Sequence, residues 1–344
     1  MIFEEEDVKA ALLTRTGPAG DGIIELMDVP VPVPGPGEVV IKVTACGVCR
    51  SNLHMAEGEW IANGVPARLP LAPGHEVVGR VDHLGEGVDW LAVGDRVGVQ
   101  PLWDTCGRCE YCLTGREEIC HERLITGEMV DGGYAEYMLA KAPFTHLLPD
   151  EIGDVEAAPL FCPGLTAYSA VEKAELSPAK RVAVFGIGGV GHMALQFALL
   201  SGAEVVAVTD GEAHGSLARE LGATRVIDSA ADDAVALLGR MGGVDASIVF
   251  APADEALHSA VEATKRGGAI VLGVNAVVPH IPFDQEKRLL GTVIGSRRQM
   301  NEVLRLAASG KVHAVCESLP LDRAEDALTK LKNRQVRGRQ VLVP

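Results

Sequence analysis

Residues 181–196 read RVAVFGIGGVGHMALQ, an apolar β-like run followed by Gly186-x-Gly188-x-x-Gly191 and the start of a helical pattern. In such a turn the first glycine permits the tight bend, the second lets the backbone approach a pyrophosphate, and the third lets helix and strand pack closely. Gly189 belongs to the same turn. The helix that follows offers free N–H groups to phosphates. Glycine-rich turns are common and the motif alone is weak. Here strand, loop, helix and a second strand over Val205–Thr209 are all present, so the stretch reads as a dinucleotide-binding unit. It could be mistaken for a membrane span, because 182–203 carries no formal charge and is long enough to cross a bilayer. Gly186, Gly188, Gly189 and Gly191 break its first half and Gly202 closes it. A buried strand and helix explain it better, and no membrane partner is expected.

The second strand should end in an acid for the adenosine ribose hydroxyls. Thr209 fills that slot and Asp210 follows, with Glu212 nearby and no Lys or Arg between Val205 and Leu217. A 2′-phosphate would meet a carboxylate and no cation, which favours NAD. NADP stays open, since threonine also suits phosphate and a basic residue from elsewhere would reverse the balance.

From about residue 181 strands and helices alternate: strand 182–185, helix 190–201, strand 205–209, helix 213–221, strand 226–227, strand 246–250, helix 255–265 and strand 269–273. This βαβ grammar predicts an α/β domain with a doubly wound parallel sheet. Before about residue 160 the grammar differs. Short β-like runs at 37–43, 77–81, 96–99 and 134–139 are separated by Gly and Pro, a barrel-like or sandwich pattern. The tail holds helical runs at 300–309 and 323–332 and a strand at 340–343, expected to pack back onto the first domain. Two domains suit a chain of 344 residues.

The net charge of −16 repels nucleic acid and anionic membranes, so neither is an expected partner. The N-terminus is acidic through Asp7 where a signal peptide would be basic, so a cytoplasmic location is expected. Eight cysteines in such a chain point to metal before disulfides. Four of them form Cys106-x2-Cys109-x2-Cys112-x7-Cys120, close enough to wrap one tetrahedral zinc with no position left for water. An iron–sulfur cluster or free thiols are the alternatives. A catalytic zinc instead needs three protein ligands and a vacancy. Candidates are Cys49 in ACGVCRSNLH (45–54), His75 and Glu76 in PGHEVVG (73–79), and Cys162 in PLFCPGLTAY (159–168). Trp60 and Trp103 lie near these motifs, as pocket lining or as structural residues.

Gly74-His75-Glu76-x2-Gly79-x5-Gly85-x2-Val88, the four-cysteine spacing and the glycine loop together resemble the zinc-dependent medium-chain dehydrogenase/reductase family, the alcohol dehydrogenases, over essentially the whole chain. The resemblance implies a GroES-like catalytic domain over 1–163, completed by 298–344, and a Rossmann domain over 164–297. It implies that Cys49, His75 and Cys162 hold a catalytic zinc with Glu76 beside it, that the four-cysteine lobe holds a structural zinc, and that Cys46 is no ligand. Arg50 and Arg339 would meet cofactor phosphate, and Thr166 would flank the nicotinamide. Ser51 and His54, three apart, share a face if the turn is helical, which suits a proton relay. The implied reaction is reversible hydride transfer between a primary or secondary alcohol (aromatic ones included) and NAD(P), in a homodimer or homotetramer. The rivals are a polyol or amino-alcohol dehydrogenase of the same family and a zinc-ribbon regulatory protein. At position 52 relatives usually carry Asp, which bonds the zinc-bound histidine; here it is Asn52. Its amide oxygen could still accept that bond, or another carboxylate such as Glu76 could restore the charge.

Overall fold

The computed structural model describes residues 7–344; the acidic stretch 1–6 lies outside them. The chain forms two compact units. One comprises the chain up to Cys162 together with Ser296–Ala308 and Val315–Pro344, the other Pro163–Gly295 with Ser309–Ala314.

In the second unit six parallel strands lie in the order Arg225–Asp228, Glu204–Thr209, Arg181–Phe185, Val244–Val249, Thr264–Leu272, Arg288–Gly291. Numbered along the chain this is 3-2-1-4-5-6, the doubly wound dinucleotide-binding order. The central strands are runs of Val, Ile, Ala and Phe because both faces are covered. The apolar stretch 182–203 is one such strand, the glycine turn and the buried helix Gly191–Leu200. Among the described residues no helix is long and apolar enough to cross a membrane. Several elements escape the sequence reading, helix Pro163–Lys173 among them. Helix Ala234–Arg240 is short, and its start is fixed by the Asp233 carboxylate accepting from the Ala236 N–H at 2.9 Å. Strand Arg288–Gly291 is short and only partly buried at the sheet edge. The helix expected to 265 stops at Ala263, because β-branched Thr264 opens the next strand. The Thr264 hydroxyl donates to Ala260 O at 2.6 Å and meets Ser247 Oγ at 2.8 Å, which fixes that corner.

The first unit is built on a seven-stranded sheet. Its order is Cys316–Pro320, Arg339–Val343, Glu38–Gly47, Val77–Leu84, Arg96–Val99, Thr145–Leu147, with Tyr137–Lys141 also paired to Glu38–Gly47. The last strand therefore lies beside the strand that leads to Cys49. The strand expected over 134–139 starts three residues later. Tyr134 instead donates its N–H to Pro73 O at 2.9 Å and buries its ring completely against Gly74 and Cys46. A hairpin of Asp7–Leu13 and Ile24–Pro30, unforeseen because its second strand is largely exposed, covers one side.

Glycines set close approaches where the sheet meets the ligand-bearing turns. A Cβ on Gly98 in strand Arg96–Val99 would sit 1.9 Å from the ring of fully buried Phe161, the residue before Cys162. Gly98→Ala must displace that ring. It should cost roughly 1–3 kcal/mol, the usual scale of overpacking, read as a lower midpoint in denaturant unfolding. A midpoint equal to wild type would show that Phe161 yields freely.

Candidate metal and cofactor sites

Four side chains from three separate parts of the first unit converge: Cys49, His75, Glu76 and Cys162, with potential ligand atoms all within 4.8 Å of one another. All four are buried. Strand Glu38–Gly47 delivers Cys49, which precedes helix Arg50–Ala56. The turn before strand Val77–Leu84 delivers His75 and Glu76, and Cys162 ends a 3-10 turn over Ala158–Phe161. Cys49 Sγ and Cys162 Sγ lie 3.7 Å apart. A disulfide would need about 2.05 Å, whereas two corners of a tetrahedron with zinc–sulfur arms of about 2.3 Å lie about 3.8 Å apart. The two sulfurs fit a shared metal.

The electrostatics agree. A hydrogen bond from Cys162 draws the Cys49 thiol well below the usual thiol range against the cost of burial, with Arg339 and His75 adding positive potential. Burial pushes His75 down, but the bond to and charge of Cys49, helped by Glu128 and Glu76, carry it up to about 9. A thiolate beside an imidazole is the donor set a soft divalent ion takes. Burial lifts Glu76 to about 7, with the charge of Arg339 opposing the rise. Both Glu76 oxygens are engaged by the Arg339 guanidinium, Nε at 3.1 Å and Nη2 in a short contact. Gly47 makes room, since a Cβ there would lie 1.9 Å from Glu76 Oε2. Arg339, expected at cofactor phosphate, is thus buried and engaged with Glu76; no pattern in the sequence signals that pairing.

Cys46 is fully buried, its sulfur packed against Gly74 and Gly133. Ser51 Oγ lies 3.3 Å from His75 Nε2, beside the cluster. Ser51 and His54 both lie on helix Arg50–Ala56, and His54 Nδ1 meets Glu59 Oε2 at 2.7 Å. Glu59 is a partner the sequence reading missed. The Trp60 ring leans on His54 with centroids 5.6 Å apart, whereas Trp103 belongs to the core. Arg50 opens its helix, where a cation opposes the helix dipole, and its buried Nε has no partner. Burial, then the nearby charge of Arg334, lowers its pKa. An anion would relieve all three strains.

The four cysteines of the lobe lie together but half-buried, except fully buried Cys120. Their sulfurs are 3.6 Å (Cys109–Cys112), 3.6 Å (Cys106–Cys120) and 3.9 Å (Cys106–Cys112) apart, again tetrahedral edges. Backbone N–H groups of Arg108 and Cys109 bring the Cys106 thiol down to about 7.

In the second unit the glycine loop has the expected steric logic. Gly186 takes φ +88° and a Cβ there would strike the backbone of Ala251, while a Cβ on Gly191 would lie 1.7 Å from Gly186 O. Gly188 faces open space, so its backbone is free to be approached. Gly189 lies between them, before helix Gly191–Leu200. Thr209 is buried and its hydroxyl accepts from the Ile187 N–H at 3.4 Å, steadying the loop. Asp210 is the exposed acid that follows. Arg219, two residues beyond Leu217, reaches back to Glu212 at 2.8 Å, so Glu212 contributes less negative charge than its position suggests. Thr166 is buried on helix Pro163–Lys173.

Residues 35–150 match the family model described as alcohol dehydrogenase GroES-like domain, and residues 189–309 match that described as zinc-binding dehydrogenase. An alcohol dehydrogenase of Geobacillus stearothermophilus is 41% identical over 326 residues, covering 93% of this chain and 96% of the relative. The structure of the alcohol dehydrogenase of Aeropyrum pernix superposes with a TM-score of 0.90 at 32% identity, covering 98% of this chain and all of the other. Acetophenone reductase from Geotrichum candidum, solved in complex with NAD, gives a TM-score of 0.86 at 30% identity, covering 99% and 98%. With two sulfur-rich sites built to tetrahedral spacing and a glycine loop on a doubly wound sheet, the chain belongs to the zinc-dependent alcohol dehydrogenases of the medium-chain dehydrogenase/reductase family.

Proposed function

We propose that Cys49, His75 and Cys162 hold a catalytic zinc, that Cys106, Cys109, Cys112 and Cys120 hold a structural zinc, and that NAD is the preferred cofactor. The observation that carries the reading is the buried convergence of two thiols, one imidazole and the Glu76 carboxylate, with a hydroxyl beside them. Zinc supplies Lewis acidity toward the alcohol oxygen, and nicotinamide the acceptor for the hydride. Ser51 would orient the substrate hydroxyl and accept its proton while handing its own hydroxyl proton on, by way of the cofactor ribose, to His54. His54, its Nδ1 held by Glu59, keeps its other ring nitrogen for passing a proton toward water. Glu76 keeps a carboxylate behind the ligands, restrained by Arg339. Gly186, Gly188, Gly189 and Gly191 admit the pyrophosphate, and Thr209 and Asp210 face the adenosine ribose. Arg50 supplies a cation for phosphate and Thr166 a contact for the nicotinamide, while Arg339 is committed to Glu76. Eight cysteines without a disulfide suit a reducing cytoplasm.

Elemental analysis should give two zinc ions per chain. Cys162→Ala should lose one of them and abolish turnover with little change in melting temperature, whereas Cys112→Ala should mainly lower stability. Equal thermal destabilisation by both substitutions would break the division into catalytic and structural sites.

The NAD preference rests chiefly on Asp210, because Arg219 offsets Glu212. Asp210→Ala should narrow the NAD-over-NADP ratio of kcat/KM by roughly 5- to 10-fold, the scale of about 1 kcal/mol for one like-charge contact near water. A wild type that already prefers NADP would overturn the assignment.

A homo-oligomer is supported by the open edge of the six-stranded sheet at Arg288–Gly291. The connection leading to it exposes Val277, Val278 and Phe283, the last 96% accessible. Unpaired strand edges and clustered exposed apolar side chains mark association surfaces. Val277→Asp with Phe283→Ser should shift the protein toward monomer in sedimentation velocity. An unchanged sedimentation coefficient would place the interface elsewhere.

A further inference from the structure

His75 leaves one question. Its Nε2 faces Ser51 and the cluster, while its Nδ1 is buried without a hydrogen-bond partner. A metal-binding imidazole ordinarily donates its other N–H to a carboxylate or carbonyl, which fixes tautomer and ring orientation. Asn52 does not serve. Its Oδ1 accepts from the Cys49 N–H at 3.1 Å and from the Tyr134 hydroxyl at 3.3 Å, so it caps the helix locally. Glu76 does not serve either, since Arg339 occupies both its oxygens.

Glu128 stands opposite. Its Oε1 lies 3.8 Å from His75 Nδ1, and its side chain is 11% exposed. The turn that carries it is held against the His75 turn by glycines. Gly127 takes φ +70° and a Cβ there would lie 2.6 Å from Gly74 N, while one on Gly132 would lie 1.9 Å from Gly74 O. The Ala67 N–H bonds Glu128 O at 3.1 Å, fixing the turn from the other side. A carboxylate held this way beside an unpartnered ring nitrogen is a built arrangement rather than a passing surface contact.

We propose that Glu128 is the positioning residue for His75, accepting its Nδ1–H and so supplying from a different loop the carboxylate that position 52 lacks. The proposal rests on the assignment of Cys49, His75 and Cys162 as zinc ligands. It also returns one negative charge to the surroundings of a zinc that two thiolates would otherwise leave neutral.

The test measures zinc release to a chelator, resolved into the two sites, and the visible spectrum of protein carrying cobalt at the catalytic site. Glu128→Ala should release the catalytic zinc roughly 10–100-fold faster, the scale of losing such a partner, and shift the cobalt bands. Structural zinc should leave at the wild-type rate. Glu128→Gln, which keeps an acceptor without the charge, should recover part of the loss. A wild-type release rate with unchanged cobalt bands in Glu128→Ala would overturn the proposal, as would equal acceleration at both zinc sites. One zinc per chain in the wild type would overturn the ligand assignment itself, and the proposal with it.

Discussion

Arg339 and Glu76 form a fully enclosed ion pair, and the ligand cluster is assembled against it. Two charges taken out of water are stable only when each satisfies the other, and removing one partner of such a pair typically costs roughly 3–5 kcal/mol. That cost explains why the surroundings are so constrained. Gly47 has no side chain because Glu76 fills the space, and Glu76 returns its backbone carbonyl to the Gly47 N–H at 2.9 Å. The strand that carries Arg339 pairs with the strand ending at Gly47, through Val341 opposite Gly47 and Leu342 opposite Cys46. The ion pair, the sheet register and the approach to Cys49 are one mechanical unit.

The two sulfur-rich sites solve different problems with similar ligands. The four-cysteine lobe is half exposed, and local backbone N–H groups are enough to favour a thiolate at Cys106. Its ligands come from one short loop, so its geometry depends little on the rest of the fold. The buried site gathers ligands separated by up to 113 residues. It relies on the hydrogen bond from Cys162, and then on the charges of Arg339 and His75, to favour the thiolate at Cys49, because burial alone would oppose it.

Much of this was legible in the sequence, for physical reasons. Gly186 and Gly191 could be read because no other residue fits a left-handed turn or a 1.7 Å approach to backbone. The four cysteines could be read because local spacing limits what they can enclose. Central strands such as Val244–Val249 announced themselves by continuous apolar runs. Edge elements did not. Strand Cys316–Pro320 is mostly exposed and carries Glu317 and Ser318, so nothing in its pattern marks it as a strand. Glu128 was equally silent, because an acid in a Gly-containing turn reads as solvated surface until the fold buries it beside His75. Asn52 stands where the family resemblance implies an acid, yet neither suggested remedy matches its surroundings. Its oxygen is spent on Cys49 and Tyr134, and Glu76 is spent on Arg339.

The separation of Glu76 from Arg339 by 263 positions has a consequence for synthesis of the protein. At about 5–20 residues per second, the carboxylate emerges from the ribosome roughly 13–50 s before its counter-ion. Cys49 and His75 precede Glu76 and Cys162 follows within that interval, and the whole parallel-sheet unit is translated before the last strand arrives. A nascent chain can therefore bring Cys49, His75 and Cys162 together early, but it cannot close the pocket around Glu76. Until Arg339 docks, that carboxylate must stay hydrated or take up a proton, and strand Glu38–Gly47 lacks one neighbour. The metal pocket is finished last, by a strand that had no part in supplying the ligands.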